Sequence, residues 1–260
     1  MSIVSTYKWG SSEDLYEKLL PFFPDTKSDE IAETLLGYGM CKPSSEFYDV
    51  LKELNKRNMW NKLQEKYVVL KKEWSGPNIP VFILPSNLFN RKIQTELNGR
   101  SGVAFEDKLF VFMSMQTSDE EAYSVLTHEY NHVCRMKKLS KKENELTLLD
   151  TMIMEGLAEY AVKEYCGETY MAPWTNYYSK KQAQSFWNKY IVGNEDLKHM
   201  SRRHDDLLYG QRWYPRMLGY SVGYYIVMSC VEKQLFSSKQ LMRIPSNTIL
   251  QKSTFNLNND

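Results

Sequence analysis

Long hydrophobic runs and an excess of one charge are both missing from this 260-residue sequence. No stretch approaches the roughly 18 consecutive apolar residues of a membrane span, so we expect no transmembrane helix. Lys and Arg total 33 against 32 Asp and Glu, and without a basic stripe this balance predicts no nucleic-acid partner. The N-terminus also lacks a basic segment followed by an apolar one, so we expect no secretory signal.

Cysteine and histidine are scarce as well. The four cysteines, Cys41, Cys134, Cys166 and Cys230, are widely separated and form no C-x-x-C pair. This usage argues against a disulfide framework and favours reduced thiols in a cytoplasmic protein. The sequence also has no glycine-rich phosphate loop and no serine triad with usable spacing. Only four histidines are present, so their positions carry much of the information about function.

The first half of the chain changes from helical to β-rich patterning. Residues 1–75 are predicted to be helical, with no strand signal and with an apolar repeat near the helical period from Glu46 to Trp74. Strands are predicted at 79–85, 101–105 and 109–113, and the last two are expected to form a hairpin.

The second half is predicted to be helical. Ser118 and Glu121 have the spacing of a capping box, which predicts that a helix begins there. The predicted helices cover approximately 118–136, 146–166, 174–191 and 217–235. These elements predict an α+β fold, with a small antiparallel or mixed sheet and a mostly helical C-terminal half. We expect an N-terminal segment, 1–75, packed on a larger domain, 76–260, that carries the motifs described next, or one continuous domain.

An H-E-x-x-H motif, His128 to His132, is the strongest chemical signal. Residues four apart share one face of a helix, so the imidazoles of His128 and His132 can converge on one tetrahedral zinc ion. Glu129 lies next to that face, where its carboxylate could act as general base toward a metal-activated water. The alternative is a solvated helix face that carries these residues by chance. This alternative is disfavoured by the apolar side of the helix, which is formed by Val125, Leu126 and Val133.

A catalytic zinc usually has three protein ligands and one open position, so the two histidines need a third ligand. Glu155 is the best candidate. Gly156 follows it, and a glycine inside a helix often marks close approach of another element, here expected to be the zinc helix. Glu159 lies one turn on, where it could accept the outer N–H of a ligand histidine. The alternative is a solvated stripe formed by Glu155, Glu159 and Lys163.

Three segments together resemble a known family: His128 to Arg135, Glu155 to Tyr160, and Gly219 to Tyr224. They resemble the YjaZ-like predicted zinc-dependent proteases and, more broadly, the gluzincin metallopeptidases. The resemblance covers roughly residues 100–235. It implies a zincin-like (gluzincin) fold, with the small sheet beside the H-E-x-x-H helix, and one zinc ion per chain.

The resemblance also implies two roles beyond the metal ligands. In the family, a Tyr or His well beyond the third ligand donates a hydrogen bond to the oxyanion of the tetrahedral intermediate. Tyr220 is the first choice for this role, with Tyr224 and His204 as alternatives. An edge strand before the zinc helix pairs with the substrate backbone, and Gly102, Val103 and Ala104 fit this position, because Gly102 leaves room for close approach. A plain core hairpin is the alternative for that strand.

The sequence therefore predicts a zinc-dependent metallopeptidase that acts on a peptide or protein. The second hypothesis is a gluzincin-like module that binds a peptide or protein with little or no turnover. A third is a helical protein with a chance motif and no stoichiometric metal. The natural substrate, endo- versus exopeptidase action and the oligomeric state stay open at this point.

Overall fold

A small mixed sheet lies in the N-terminal half of the chain. The computed structural model describes residues 2–9, 15–91, 95, 101–199 and 201–256. Its strands are β1 (Ile3–Val4), β2 (Val81–Pro85), β3 (Ser101–Ala104) and β4 (Leu109–Met113). They form one sheet in the order β1-β2-β4-β3. The β1–β2 and β2–β4 pairs are parallel and the β3–β4 pair is antiparallel, so β1 and β3 are the edge strands.

Helices make up most of the remaining described chain. The α-helices are α1 (Leu15–Leu19), α2 (Ser28–Gly37), α3 (Ser45–Lys56), α4 (Met59–Trp74), α5 (Asp119–Leu139), α6 (Leu148–Cys166), α7 (Lys180–Phe186), α8 (Arg202–Tyr209), α9 (Leu218–Gln234), α10 (Ser238–Leu241) and α11 (Ser246–Lys252). This content confirms the predicted α+β class. Within the described ranges, no helix combines the length and apolar character needed to cross a membrane.

The chain divides into two compact units, Met1–Tyr130 and Asn131–Asp260. The predicted division into an N-terminal segment, 1–75, and a domain, 76–260, stays a prediction. In the first unit, β2 and β4 are buried along their whole length, because each is a run of consecutive apolar residues. Tyr130 ends this unit: its ring stacks on Trp74 with the centroids 5.9 Å apart, and its hydroxyl donates to the Pro77 carbonyl (2.7 Å).

In the second unit, α6 and α9 pack with almost no space between their backbones. A Cβ built on Gly223 of α9 would lie 1.9 Å from the Met152 carbonyl oxygen of α6. A Cβ on Gly156 would lie 2.5 Å from the Gly223 carbonyl oxygen. Gly223 therefore lets the two backbones approach closely. The expectation that Gly156 faces the H-E-x-x-H helix, α5, is wrong, because the three atoms nearest to its Cβ position belong to α9.

The hairpin and the long C-terminal helices lie close to their predicted positions, but the prediction that residues 1–75 contain no strand is wrong. Residues 1–75 contain a strand, β1, whose start is fixed by backbone N–H bonds from Ser2 and Ile3 to the Gln64 side chain (2.9 and 3.0 Å). The helical character predicted from 46 to 74 is confirmed, and the structure divides this range into two helices, α3 and α4. Asn58 separates them with left-handed backbone geometry (φ 59°).

The glycine contact between α6 and α9 predicts a large loss of stability when Gly223 is replaced by alanine. The added Cβ would collide with the backbone of α6, and overpacking of this kind costs about 1–3 kcal/mol. Denaturant unfolding followed by circular dichroism measures the effect. Gly37→Ala is the matched control, because a Cβ there meets nothing within 4 Å and should leave stability unchanged or slightly raised. Equal stability of the two variants would contradict the tight contact.

Candidate metal centre

Helix α5 begins with the capping box that the sequence predicts. The Ser118 backbone N–H donates to Glu121 Oε2 (2.8 Å), and the Glu121 N–H donates to Ser118 Oγ (3.2 Å). These bonds satisfy N–H groups that have no partner within the helix. The helix then continues without interruption to Leu139, so His128 and His132 lie on one face, four residues apart.

His128, His132 and Glu155 come together in the structure. Each offers a ligand atom, and these atoms all lie within 4.8 Å of one another. His132 Nε2 is 3.7 Å from Glu155 Oε1. His132 and Glu155 are buried and His128 is half-buried. In the part of the chain that the structure describes, these three residues form the cluster of His, Cys, Asp or Glu side chains that could hold a metal ion.

The donor set fits a zinc ion. Two imidazole nitrogens and one carboxylate oxygen are the ligand types of catalytic zinc sites that keep one position open. Tetrahedral bonds of about 2.1 Å place ligand atoms about 3.4 Å apart, close to the distance between His132 and Glu155.

Glu129 lies against the edge strand β3. Its side chain is buried, and a Cβ built on Gly102 would lie 2.5 Å from Glu129 Cγ and 2.8 Å from Oε1. The missing side chain of Gly102 therefore gives Glu129 the space it occupies. Gly102 was expected to make room for a substrate backbone, and the close neighbour in the structure is Glu129. The substrate-binding roles of Gly102, Val103 and Ala104 stay predictions.

Glu159 lies one helical turn beyond Glu155 and is buried. Its Oε2 accepts a hydrogen bond from the Ala172 backbone N–H (2.7 Å), so it holds the loop that follows α6. The predicted bond from the outer N–H of a ligand histidine to Glu159 stays a prediction.

The tyrosine candidates for oxyanion stabilisation are on α9. The Tyr220 ring packs edge-on against Trp174 and also contacts Tyr209, with centroid distances of 5.1 and 5.7 Å. Tyr224 is buried; burial raises the pKa of its hydroxyl, and nearby Glu159 adds to the effect. A hydroxyl with a raised pKa stays protonated and can donate a hydrogen bond. The assignment of the oxyanion role to Tyr220 stays a prediction.

His204, the third candidate, has both ring nitrogens close to other side chains. Nδ1 is 2.8 Å from Asp205 Oδ1, and Nε2 is 3.2 Å from Thr151 Oγ1. Burial lowers the pKa of His204, although Asp205 opposes the shift. Its contacts therefore fix the start of α8 against α6.

Two buried charged residues near the site were not identified from the sequence. Arg135 on α5 is 2% exposed, and Asp150 on α6 is 6% exposed. A charged residue in a helix usually faces water, so burial of either one could not be expected from composition alone. The available signal was position, because Arg135 follows His132 by three residues and therefore shares its side of the helix.

Comparisons with known proteins agree on one family. A family model described as "Predicted Zn-dependent protease (DUF2268)" matches residues 59–251. The uncharacterized protein YjaZ of Bacillus subtilis (strain 168) is 37% identical over 257 residues, which cover 96% of this chain and 98% of YjaZ. The uncharacterized protein YjfC of the same organism is 23% identical over 137 residues, covering 50% of this chain and 46% of YjfC.

No solved structure matches the chain significantly. The family model covers most of the chain, and the similarity to YjaZ extends over nearly all of it. The chain therefore belongs to the YjaZ-like family of predicted Zn-dependent proteases.

Proposed function

We propose that this protein is a zinc-dependent metallopeptidase of the gluzincin type that hydrolyses peptide bonds. The observation that carries the proposal is the convergence of His128, His132 and Glu155, with Glu129 buried next to the first of them in sequence. The family description as predicted Zn-dependent proteases supports the same reaction class.

The three converging side chains would hold one zinc ion per chain. When bound, zinc would supply a Lewis acid that polarises the scissile carbonyl and lowers the pKa of a water molecule. The imidazoles contribute no charge and the Glu155 carboxylate contributes one negative charge. The ligand set therefore leaves a net positive centre, which suits electrophilic activation of a carbonyl.

Glu129 would serve as the general base. It follows His128 directly, so the helix directs its carboxylate next to the ligand face without making it a ligand. In this role the carboxylate accepts a proton from the attacking water and then passes it to the leaving amine. Contact with Gly102 limits the positions that the carboxylate can take.

The edge strand β3 would bind the substrate backbone. An extended peptide can add to an exposed sheet edge through main-chain hydrogen bonds. Along β3, Ser101 and Val103 are buried while Gly102 and Ala104 are half-exposed, the alternation of a strand with one covered face. Tyr220 would donate a hydrogen bond to the oxyanion of the tetrahedral intermediate.

Glu129→Gln is expected to abolish peptide hydrolysis while the protein still binds zinc. The amide is similar in size but cannot accept the proton, and loss of a general base lowers kcat by about 10²–10⁴-fold. Cleavage of a peptide library by the zinc-loaded wild type and the variant is the measurement, with zinc content determined in both. A wild type that holds zinc and cleaves nothing would contradict the peptidase proposal and favour a peptide-binding module.

Gly102→Ala is expected to lower kcat without weakening zinc binding. The new Cβ would overlap Glu129 Cγ and force the carboxylate to move, and misplacement by about 1 Å can cost 10²-fold in rate. The same assay and a zinc competition titration measure the two effects separately. Gly37→Ala is the control for a glycine-to-alanine change with no contact. Unchanged turnover in Gly102→Ala would show that this contact does not position the base.

A further inference from the structure

A chain of buried polar groups joins the two helices that carry the candidate ligands. It begins at Arg135 of α5. The guanidinium donates from Nη1 to the Leu241 carbonyl (3.0 Å) and the Ile244 carbonyl (3.3 Å), and from Nη2 to Ser246 Oγ (3.0 Å). Leu241 ends α10 and Ser246 begins α11, so Arg135 binds the turn between these helices.

Ser246 connects Arg135 to α6. Its hydroxyl accepts from Arg135 and donates to Asp150 Oδ1 (2.6 Å). The second oxygen of Asp150 accepts from Lys141 Nζ (2.6 Å) and from the Thr147 backbone N–H (3.2 Å). Asp150 also belongs to the capping box that begins α6, so its carboxylate is fixed to the helix backbone.

The buried charges of Arg135 and Asp150 favour one arrangement of α5 and α6. Burial lowers the pKa of Arg135 to about 10, which leaves the guanidinium charged at neutral pH. Burial alone would raise the pKa of Asp150, but the hydrogen bonds from Lys141 and Ser246 hold it below its usual value. A rotation or shift of either helix would leave a buried charge without its partners, which is strongly unfavourable.

The same two helices carry His132 and Glu155. Arg135 follows His132 by three residues, a rise of about 5 Å along α5, and Asp150 precedes Glu155 by five residues, about 8 Å along α6. The contact of 3.7 Å between His132 Nε2 and Glu155 Oε1 therefore lies within two turns of the Arg135–Ser246–Asp150 chain.

We propose that Arg135, Ser246 and Asp150 are positioning residues, through which the segment 241–246 holds α5 and α6 in the register that brings His132 and Glu155 together. The proposal rests on the proposed function, because it assumes that these two residues bind the metal. It assigns the C-terminal segment a part in metal affinity, although none of its residues is a ligand.

Ser246→Ala tests the proposal, because it removes only the hydroxyl that links the two charges. We expect zinc affinity, measured by competition with a chelator, to fall about tenfold, which is the lower end of the effect of changing groups that orient metal ligands. Ser246→Thr keeps the hydroxyl and should restore affinity. Ser229→Ala is the matched control, because Ser229 is fully buried and bonds to Ile226 and Thr254 instead.

The outcomes separate this proposal from the one it rests on. Zinc affinity of Ser246→Ala equal to that of Ser229→Ala would overturn the positioning role, even if the metal-free variant were less stable. Failure of the wild type to bind zinc would instead overturn the proposed function. If Ser246→Ala does not fold, Lys141→Met replaces it, because Lys141 Nζ also donates to the Asp150 carboxylate (2.6 Å). Wild-type zinc affinity in that variant would overturn the positioning role of Asp150.

Discussion

Burial of acidic side chains beside an imidazole is the constraint on which the centre of the C-terminal unit depends. His132, Glu155 and Glu159 are each at most 8% exposed. Moving a carboxylate out of water costs several kcal/mol unless hydrogen bonds or an opposite charge compensate. Glu159 receives an N–H bond from the Ala172 backbone, and a divalent cation would supply the compensation at Glu155. Under the proposed function, the ion that would activate water would therefore also offset the burial of Glu155.

Helices α6 and α9 pack more closely than they could if side chains larger than glycine stood at their contact. Gly156 and Gly223 bring the backbones of α6 and α9 into contact, and Gly156 directly follows Glu155. The Arg135–Ser246–Asp150 chain joins α5 to α6 through polar contacts instead. Buried charges with fixed partners also tolerate little displacement, because a shift leaves a charge uncompensated. Both devices restrict the position of α6, and with it the position of Glu155.

The sequence was sufficient for those features that depend on spacing within one element. The Ser118–Glu121 cap, the hairpin of β3 and β4, and the shared face of His128 and His132 all follow from local rules. The sequence failed where a feature depends on a distant partner. A strand of two residues, such as β1, has no period to detect, and it forms because β2 is available for pairing.

Glycine and charge show the same limit at the site. The spacing around Gly156 indicated that some element comes close, but it could not indicate that this element is α9 rather than α5. Gly102 was expected to leave room for a substrate, and the sequence could not indicate that the Glu129 side chain lies beside it. Arg135 reads as an ordinary surface residue until its partners, more than 100 residues later in the chain, are known.

The most direct test of the central claim is the identity of the atoms bound to the metal. Elemental analysis of the purified wild type, followed by zinc X-ray absorption, measures stoichiometry and ligands together. The account predicts about one zinc per chain, with nitrogen and oxygen neighbours at about 2.0–2.2 Å and with imidazole scattering, all lost in His128→Ala. Absence of zinc after incubation with zinc salts would contradict the account, as would sulfur neighbours at about 2.3 Å.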